Sequence, residues 1–276
     1  TNCYQPIPNE AFRSHVLAFL AHGSMLTPKG KTAIPMTGRS VNDVIAAMKT
    51  LPNLLLDDSF DSPHWRRWEG TSARPDRAEP EDVIAFRNGW IVLGENGGHY
   101  FHDRYDDRRR TVQTATNYFT TSALPYDYDA DAGEPSEWFR FLESVWGSSD
   151  EPEARLLQEY MGLSLSLNTS FHKILLIVGP KRSGKGTLLR VWRSMIGERN
   201  CATPTASTLT ERFGLWGLVD RQLAIISDAR FQHGRDSSVV TERLLSISDE
   251  DALTIDRKNR EPLTNIRLNT RIVIAS

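Results

Sequence analysis

Residues 179–187, Gly179-Pro180-Lys181-Arg182-Ser183-Gly184-Lys185-Gly186-Thr187, are the part of this 276-residue chain best suited to chemistry. Two glycines five apart let main-chain amides curl around a polyphosphate, and the lysine after the second reaches its outer phosphates. The apolar run 174–178 ahead of the loop reads as a strand. Residues 188–196 behind it read as a helix, with Lys185 in its first turn, and a helix N-terminus adds partial positive charge. One position departs from the usual pattern: the hydroxyl residue that follows the lysine and ligates Mg²⁺ is Gly186 here. Thr187, one step later, is left to contact the α-phosphate or to reach Mg²⁺ through water.

Strand, glycine-rich turn and helix in that order form the context of a P-loop, and the expected ligand is ATP. About 40 residues on, the apolar run 223–226 leads through Ser227 to Asp228. A carboxylate at the end of a second strand is expected beside the loop, to hold Mg²⁺ or to orient water. Lys185 and Asp228 are therefore the expected catalytic pair. A third cluster, Arg257, Lys258 and Arg260, follows an acidic stretch. Arg108-Arg109-Arg110 sits beside Asp106 and Asp107 and reads as an exposed turn. His99, His102 and Asp103 read as polar residues on a hairpin rim, not as metal ligands.

The elements that must position these groups follow from periodicity. Phe12, Val16, Phe19 and Leu20 share a helical face after Asn9, the expected N-cap. Val41, Val44, Ile45 and Met48 share another, with Ser40 to Asp43 as its capping box. Residues 51–81 read mostly as loop, and Asn88-Gly89 as a hairpin turn with positive φ angles. Trp138, Phe141, Leu142, Val145 and Trp146 mark a helix ending near Gly147. Leu156, Leu157, Tyr160 and Met161 mark the next.

After residue 170 the pattern changes to apolar runs (174–178, 223–226, 271–275) separated by helical material, which predicts an α/β layer. The expected division is a mainly helical α+β module over 1–168 with a small hairpin, then the P-loop layer over 169–276. The net charge of −2 conceals an asymmetry: residues 171–276 carry 17 basic and 11 acidic side chains, the rest 16 and 24. A basic C-terminal part points to a polyanionic partner. Two cysteines, Cys3 and Cys201, exclude a disulfide framework and fit a reducing compartment. No apolar run is long enough to span a membrane. The chain starts Thr1-Asn2-Cys3 and ends on a strand-like run, so it is expected to be a piece of a longer polypeptide.

On these residues the chain resembles the phage and plasmid primase family, whose C-terminal half is a superfamily 3 (AAA+) helicase like that of poxvirus primase–helicases. Residues 118–121, 124–128 and 138–142 and the Asn88-Gly89 hairpin are similar to the helical module before that motor. Residues 179–187 match Walker A, 209–216 and 223–230 the intervening and Walker B segments, and 248–258 motif B′. The resemblance implies a truncated AAA+ core in a ring-forming, hexameric ATPase that moves along single-stranded DNA in the cytoplasm. It implies a primase domain in the same polypeptide. It also places Arg257, Lys258 and Arg260 at a DNA-contacting hairpin, and sensor 1 and an arginine finger beyond Ser276. Two other readings stand beside it. Nucleoside monophosphate kinases share the Gly-Pro-x-x-x-Gly-Lys-Gly-Thr loop, though near their N-terminus and with an Arg-rich lid downstream. A nucleotide-binding assembly module without hydrolysis is the second.

Overall fold

Short helices and hairpins, each with one apolar side, lead into a parallel sheet that is covered on both faces. The computed structural model describes residues 8–28, 30–34, 37–50, 62–65, 78–94, 98–103, 118–227 and 235–276. Helix α1 (Asn9–Ala21) follows Pro8, whose missing N–H costs nothing at a helix start. A hairpin of β1 (Ser24–Thr27) and β2 (Gly30–Ala33) joins it to α2 (Gly38–Thr50). The expected cap at Ser40 is displaced: Thr37 Oγ1 accepts from the Ser40 amide at 3.1 Å, so the helix begins two residues earlier. Val16, Leu20 and Val41 close a small core between the two helices, with Val44, Ile45 and Met48 against it.

Strands β3 (His64–Trp65), β4 (Val83–Ala85), β5 (Gly89–Leu93), β6 (His99–Asp103) and β7 (Tyr118–Phe119) follow. β4, β5 and β6 form an antiparallel sheet, and β3 pairs with β7. Ala85 faces Trp90, and the Phe86 amide donates to the Gly89 carbonyl. The turn is therefore Arg87–Asn88, not Asn88–Gly89, and neither of these residues nor Gly89 takes the expected positive φ. The Asn88 side chain has another task. Its Nδ2 donates to the Tyr128 carbonyl and its Oδ1 accepts from the Tyr128 amide, both at 2.9 Å. That two-way pairing pins the segment around Tyr126–Tyr128 to the hairpin tip.

Helix α3 (Ser136–Trp146) stops at Gly147, whose φ of 86° and N–H to the Glu143 carbonyl form a left-handed C-cap. Helix α4 (Pro152–Leu163) starts with proline in its first turn. The order then runs β8 (Ile174–Ile177), α5 (Lys185–Ile196), β9 (Cys201–Ala202), α6 (Ala206–Thr210), β10 (Leu223–Ile226), α7 (Arg235–Ser248), β11 (Leu253–Arg257), β12 (Arg260–Ile266) and β13 (Arg271–Ala275). The sheet order is β8-β13-β10-β9 with every pairing parallel. The fold is mixed α/β.

Parallel strands buried on both faces read as continuous apolar runs, and alternation divides their side chains between two cores. Leu223, Ile225, Val273 and Ala275 join Leu188, Trp192 and Ile196 of α5 with Leu142 of α3 and Leu157 and Tyr160 of α4. Ala224, Ile226, Ile272 and Ile274 face Leu209, Leu218, Val240, Leu244 and Ile247 on the other side. Apolar packing thus crosses the division drawn at residue 168: α3 and α4 cover one face of the sheet. In α4 the buried positions are Ala154, Leu157, Tyr160 and Met161, whereas Leu156, expected on that face, is 56% exposed. Trp192 is fully buried and its Nε1 donates to Ser164 Oγ at 2.8 Å, tying α5 to the end of α4. Among the described residues no helix is long and apolar enough to cross a membrane.

Candidate functional site

The loop between β8 and α5 lies at the carboxyl ends of the parallel strands, where open α/β sheets bind ligands. Gly184 caps α5 with φ of 88°, a conformation that only glycine adopts without cost. A Cβ there would also stand 3.3 Å from Val145 and 3.4 Å from Phe141 of α3. A Cβ on Gly179 would stand 3.0 Å from Ser183 Oγ, so the two limbs of the loop also approach closely. The Lys185 ammonium folds back across this turn, donating to the Gly179 carbonyl at 2.5 Å and the Pro180 carbonyl at 2.9 Å.

The described residues offer no main-chain acceptor to the amides of Lys181, Arg182, Gly184, Lys185 and Gly186; only Ser183 and Thr187 donate within the loop. These amides border a cleft of about 450 Å³ lined by the loop, Leu189, and the ends of β10 and β13 at Ser227, Ala275 and Ser276. That volume lies in the range of small-molecule sites. Lys181 and Arg182 are exposed at its rim, and α5 carries no acid in its first turn. Amides and a helix N-terminus gathered in this way are chemically suited to an anion. Thr187 is exposed, and its hydroxyl accepts from Arg190 Nη2 at 3.0 Å. Ser227 brings the end of β10 to the cleft, but Asp228, Ala229 and Arg230 lie outside the described residues, as do Arg108, Arg109 and Arg110. Among the described residues no three His, Cys, Asp or Glu side chains gather as metal ligands. Gly186 has no side chain to offer Mg²⁺, and the Thr187 hydroxyl already accepts from Arg190.

A second arrangement involves the opposite, amino ends of the strands. β11 and β12 form a hairpin with Arg257 opposite Arg260 and Lys258–Asn259 at the turn, Asn259 taking φ of 57°. Lys258 and Arg260 are exposed. Like charges directly across a ladder repel, and Arg257 is drawn aside: its Nε donates to the Glu261 carbonyl and its guanidinium lies 5.7 Å from the centre of the Trp216 ring. Trp216 and Phe213 are 43% and 41% exposed, on the segment between α6 and β10. Arg212 stacks over Phe213 and pairs with Asp256 of β11 at 2.8 Å.

Sequence reasoning placed the three basic residues on one hairpin but missed the aromatic pair beside them. The signal was an Arg-Phe-Gly-Leu-Trp run, which gains meaning only from contact with a strand some 40 residues later. Gly214 makes that contact possible. A Cβ on it would sit 2.0 Å from the Thr208 carbonyl oxygen, so only glycine lets the segment fold back on α6. Arg243 of α7 donates to the Glu211 carbonyl at 2.8 Å and to the Leu209 carbonyl, fixing the same turn.

Residues 177–276 match a family of unknown function (DUF5906). No curated protein matches the chain. Among solved structures it is similar to the A form apo structure of the NrS-1 C-terminal region, at 12% identity and a TM-score of 0.43. Another apo structure of the NrS-1 C-terminal region aligns at 13% identity with a TM-score of 0.44. Each alignment covers 70% of this chain and 53% of that one, so the chain spans about half the length of the structures it matches.

Proposed function

We propose that residues 169–276 are the P-loop layer of an ATP-driven motor that acts on single-stranded DNA, preceded by the module over 1–168. The observation that carries this reading is the loop 179–187, with five amides that have no main-chain acceptor among the described residues, a cap glycine at φ of 88° and Lys185 facing a cleft at the carboxyl ends of a parallel sheet. A triphosphate entering the cleft supplies acceptors to those amides and draws the Lys185 ammonium away from the Gly179 and Pro180 carbonyls. Held this way, the γ-phosphate is neutralised and oriented for in-line attack by water. Asp228, one residue beyond Ser227, is the carboxylate that orients that water or meets Mg²⁺ carried in by the nucleotide. In this reading, following the resemblance to superfamily 3 motors, the full-length protein is a hexamer, a neighbouring subunit supplies an arginine, and a primase domain shares the polypeptide.

The hairpin supports the choice of polymer. Lys258 and Arg260 are exposed cations and Arg257 lies over an exposed tryptophan. Basic side chains neutralise backbone phosphates, and aromatic faces accept unstacked bases of any sequence, a pairing suited to single strands. The test is ATP hydrolysis by the full-length protein with and without single-stranded oligonucleotide; this chain alone is expected to turn over little. The expected outcome is DNA-stimulated turnover that Lys185→Ala abolishes. Stimulated turnover that survives Lys185→Ala, or transfer of the γ-phosphate to AMP, CMP or dTMP, would replace this reading.

A further inference from the structure

Lys181, Arg182, Lys185 and Arg190 crowd the loop and the first two turns of α5, and no acid balances them in the first turn. The start of a helix is already partly positive and disfavours cations, so this grouping is unfavourable until an anion joins it. Lys185 is satisfied by main-chain oxygens, but Arg190 is not. Among the described residues no carboxylate pairs with Arg190. Its Nη2 donates to the Thr187 hydroxyl, and its Nη1 lies 3.8 Å from where a Cβ on Gly186 would stand. Helical side chains lean toward the N-terminus and cover the turn before their own, which is why a residue on the second turn reaches back beside Gly186, a residue that lines the cleft.

Gly186 occupies the position from which a serine or threonine hydroxyl would face Mg²⁺, and a guanidinium stands beside the gap it leaves. We propose that Arg190 contacts the polyphosphate of the bound nucleotide from the Gly186 side, supplying in place of a protein-ligated metal much of the charge neutralisation there. The planar fork of an arginine suits two phosphate oxygens at once. Nucleotide binding then depends only weakly on divalent cation. The inference rests on the nucleotide-binding reading of the loop.

The experiment is calorimetric titration of the whole chain with ADP and with β,γ-imido-ATP, in Mg²⁺ and in EDTA, for wild type, Arg190→Gln and Arg190→Lys. Wild type is expected to bind both nucleotides in EDTA nearly as well as in Mg²⁺. Arg190→Gln weakens both by about tenfold in EDTA, and Arg190→Lys recovers part of the loss. Thermal melting confirms that each variant remains folded, as expected for an exposed position. Arg190→Gln binding as tightly as wild type in EDTA, or wild-type binding that vanishes without Mg²⁺, overturns the role of Arg190 and leaves the loop as the nucleotide site. Wild type that binds neither nucleotide under either condition overturns both.

Discussion

The two ends of the parallel sheet are built by different means. At the carboxyl ends the loop 179–187 presents main-chain amides, and its shape depends on glycines that leave room for close approach. At the amino ends the hairpin surface consists of side chains brought together from α6 to β12, held by Arg212–Asp256 and by Arg243 on the carbonyls of residues 209 and 211. A backbone site is written in a few consecutive residues. A side-chain site is written in contacts between segments distant in sequence. The first should fail abruptly when its geometry is disturbed, and the second by increments.

The largest effect expected is at Gly184. Gly184→Val places a branched side chain at positive φ and against Phe141 and Val145, strain of about 1–3 kcal/mol in the cap itself. Nucleotide affinity, followed by titration, should fall about a hundredfold while the sheet stays folded. Gly214→Ala comes next: a methyl 2.0 Å from the Thr208 carbonyl oxygen forces the backbone apart, costing about 2 kcal/mol in denaturant unfolding and displacing Trp216. Trp216→Ala removes one stacking face and should cost about 1–3 kcal/mol of oligonucleotide binding without changing ATP affinity. The smallest change is Lys258→Ala, which should reduce the slope of log affinity against log salt by about 0.7 for a single strand. Equal loss of nucleotide binding in Trp216→Ala or Lys258→Ala would erase the contrast between the two ends.

The base of the hairpin gives a pH prediction. Glu250 is 12% exposed, pairs with Arg267, and its Oε1 accepts from Thr169 Oγ1 at 2.5 Å. Burial alone would raise its carboxyl, but the hydrogen bonds from Arg267 and Thr169 and the Arg267 charge outweigh that and hold it below the usual range. A carboxyl depressed on folding stabilises the native state above its unfolded pKa, and that stability is lost as pH falls through the folded value. Glu250→Gln should therefore lower stability at neutral pH and flatten the acid loss below about pH 4.3, read from thermal melts across pH. An unchanged acid limb would show that the Thr169–Glu250–Arg267 link contributes nothing.

The strand runs 174–177, 223–226 and 271–275 and the helix behind the loop were legible in the sequence because apolar continuity and glycine spacing are local properties. The partners of α3 and α4 were not. Periodicity revealed that Trp138 to Trp146 have an apolar face, but not that Leu142 meets Trp192 and the sheet. The cap of α2 was misplaced because Thr37 and Ser40 are equally good hydroxyls, and only the backbone path decides between them. The turn at Arg87–Asn88 was misread for a related reason: Asn88 serves Tyr128 through its amide, a partner 40 residues away. At the candidate site, Lys185 and its glycines were legible from spacing. Arg190 was not, because its reach back to Thr187 comes from side-chain direction on a helix.

The most direct test of the central claim is a structure of the chain with an ATP analogue. The account predicts the polyphosphate within the loop, cupped by amides of residues 181–187, with the Lys185 ammonium moved from the Gly179 and Pro180 carbonyls onto phosphate oxygen. An analogue bound elsewhere, or a loop that stays empty with Lys185 still on those carbonyls at saturating nucleotide, would contradict it.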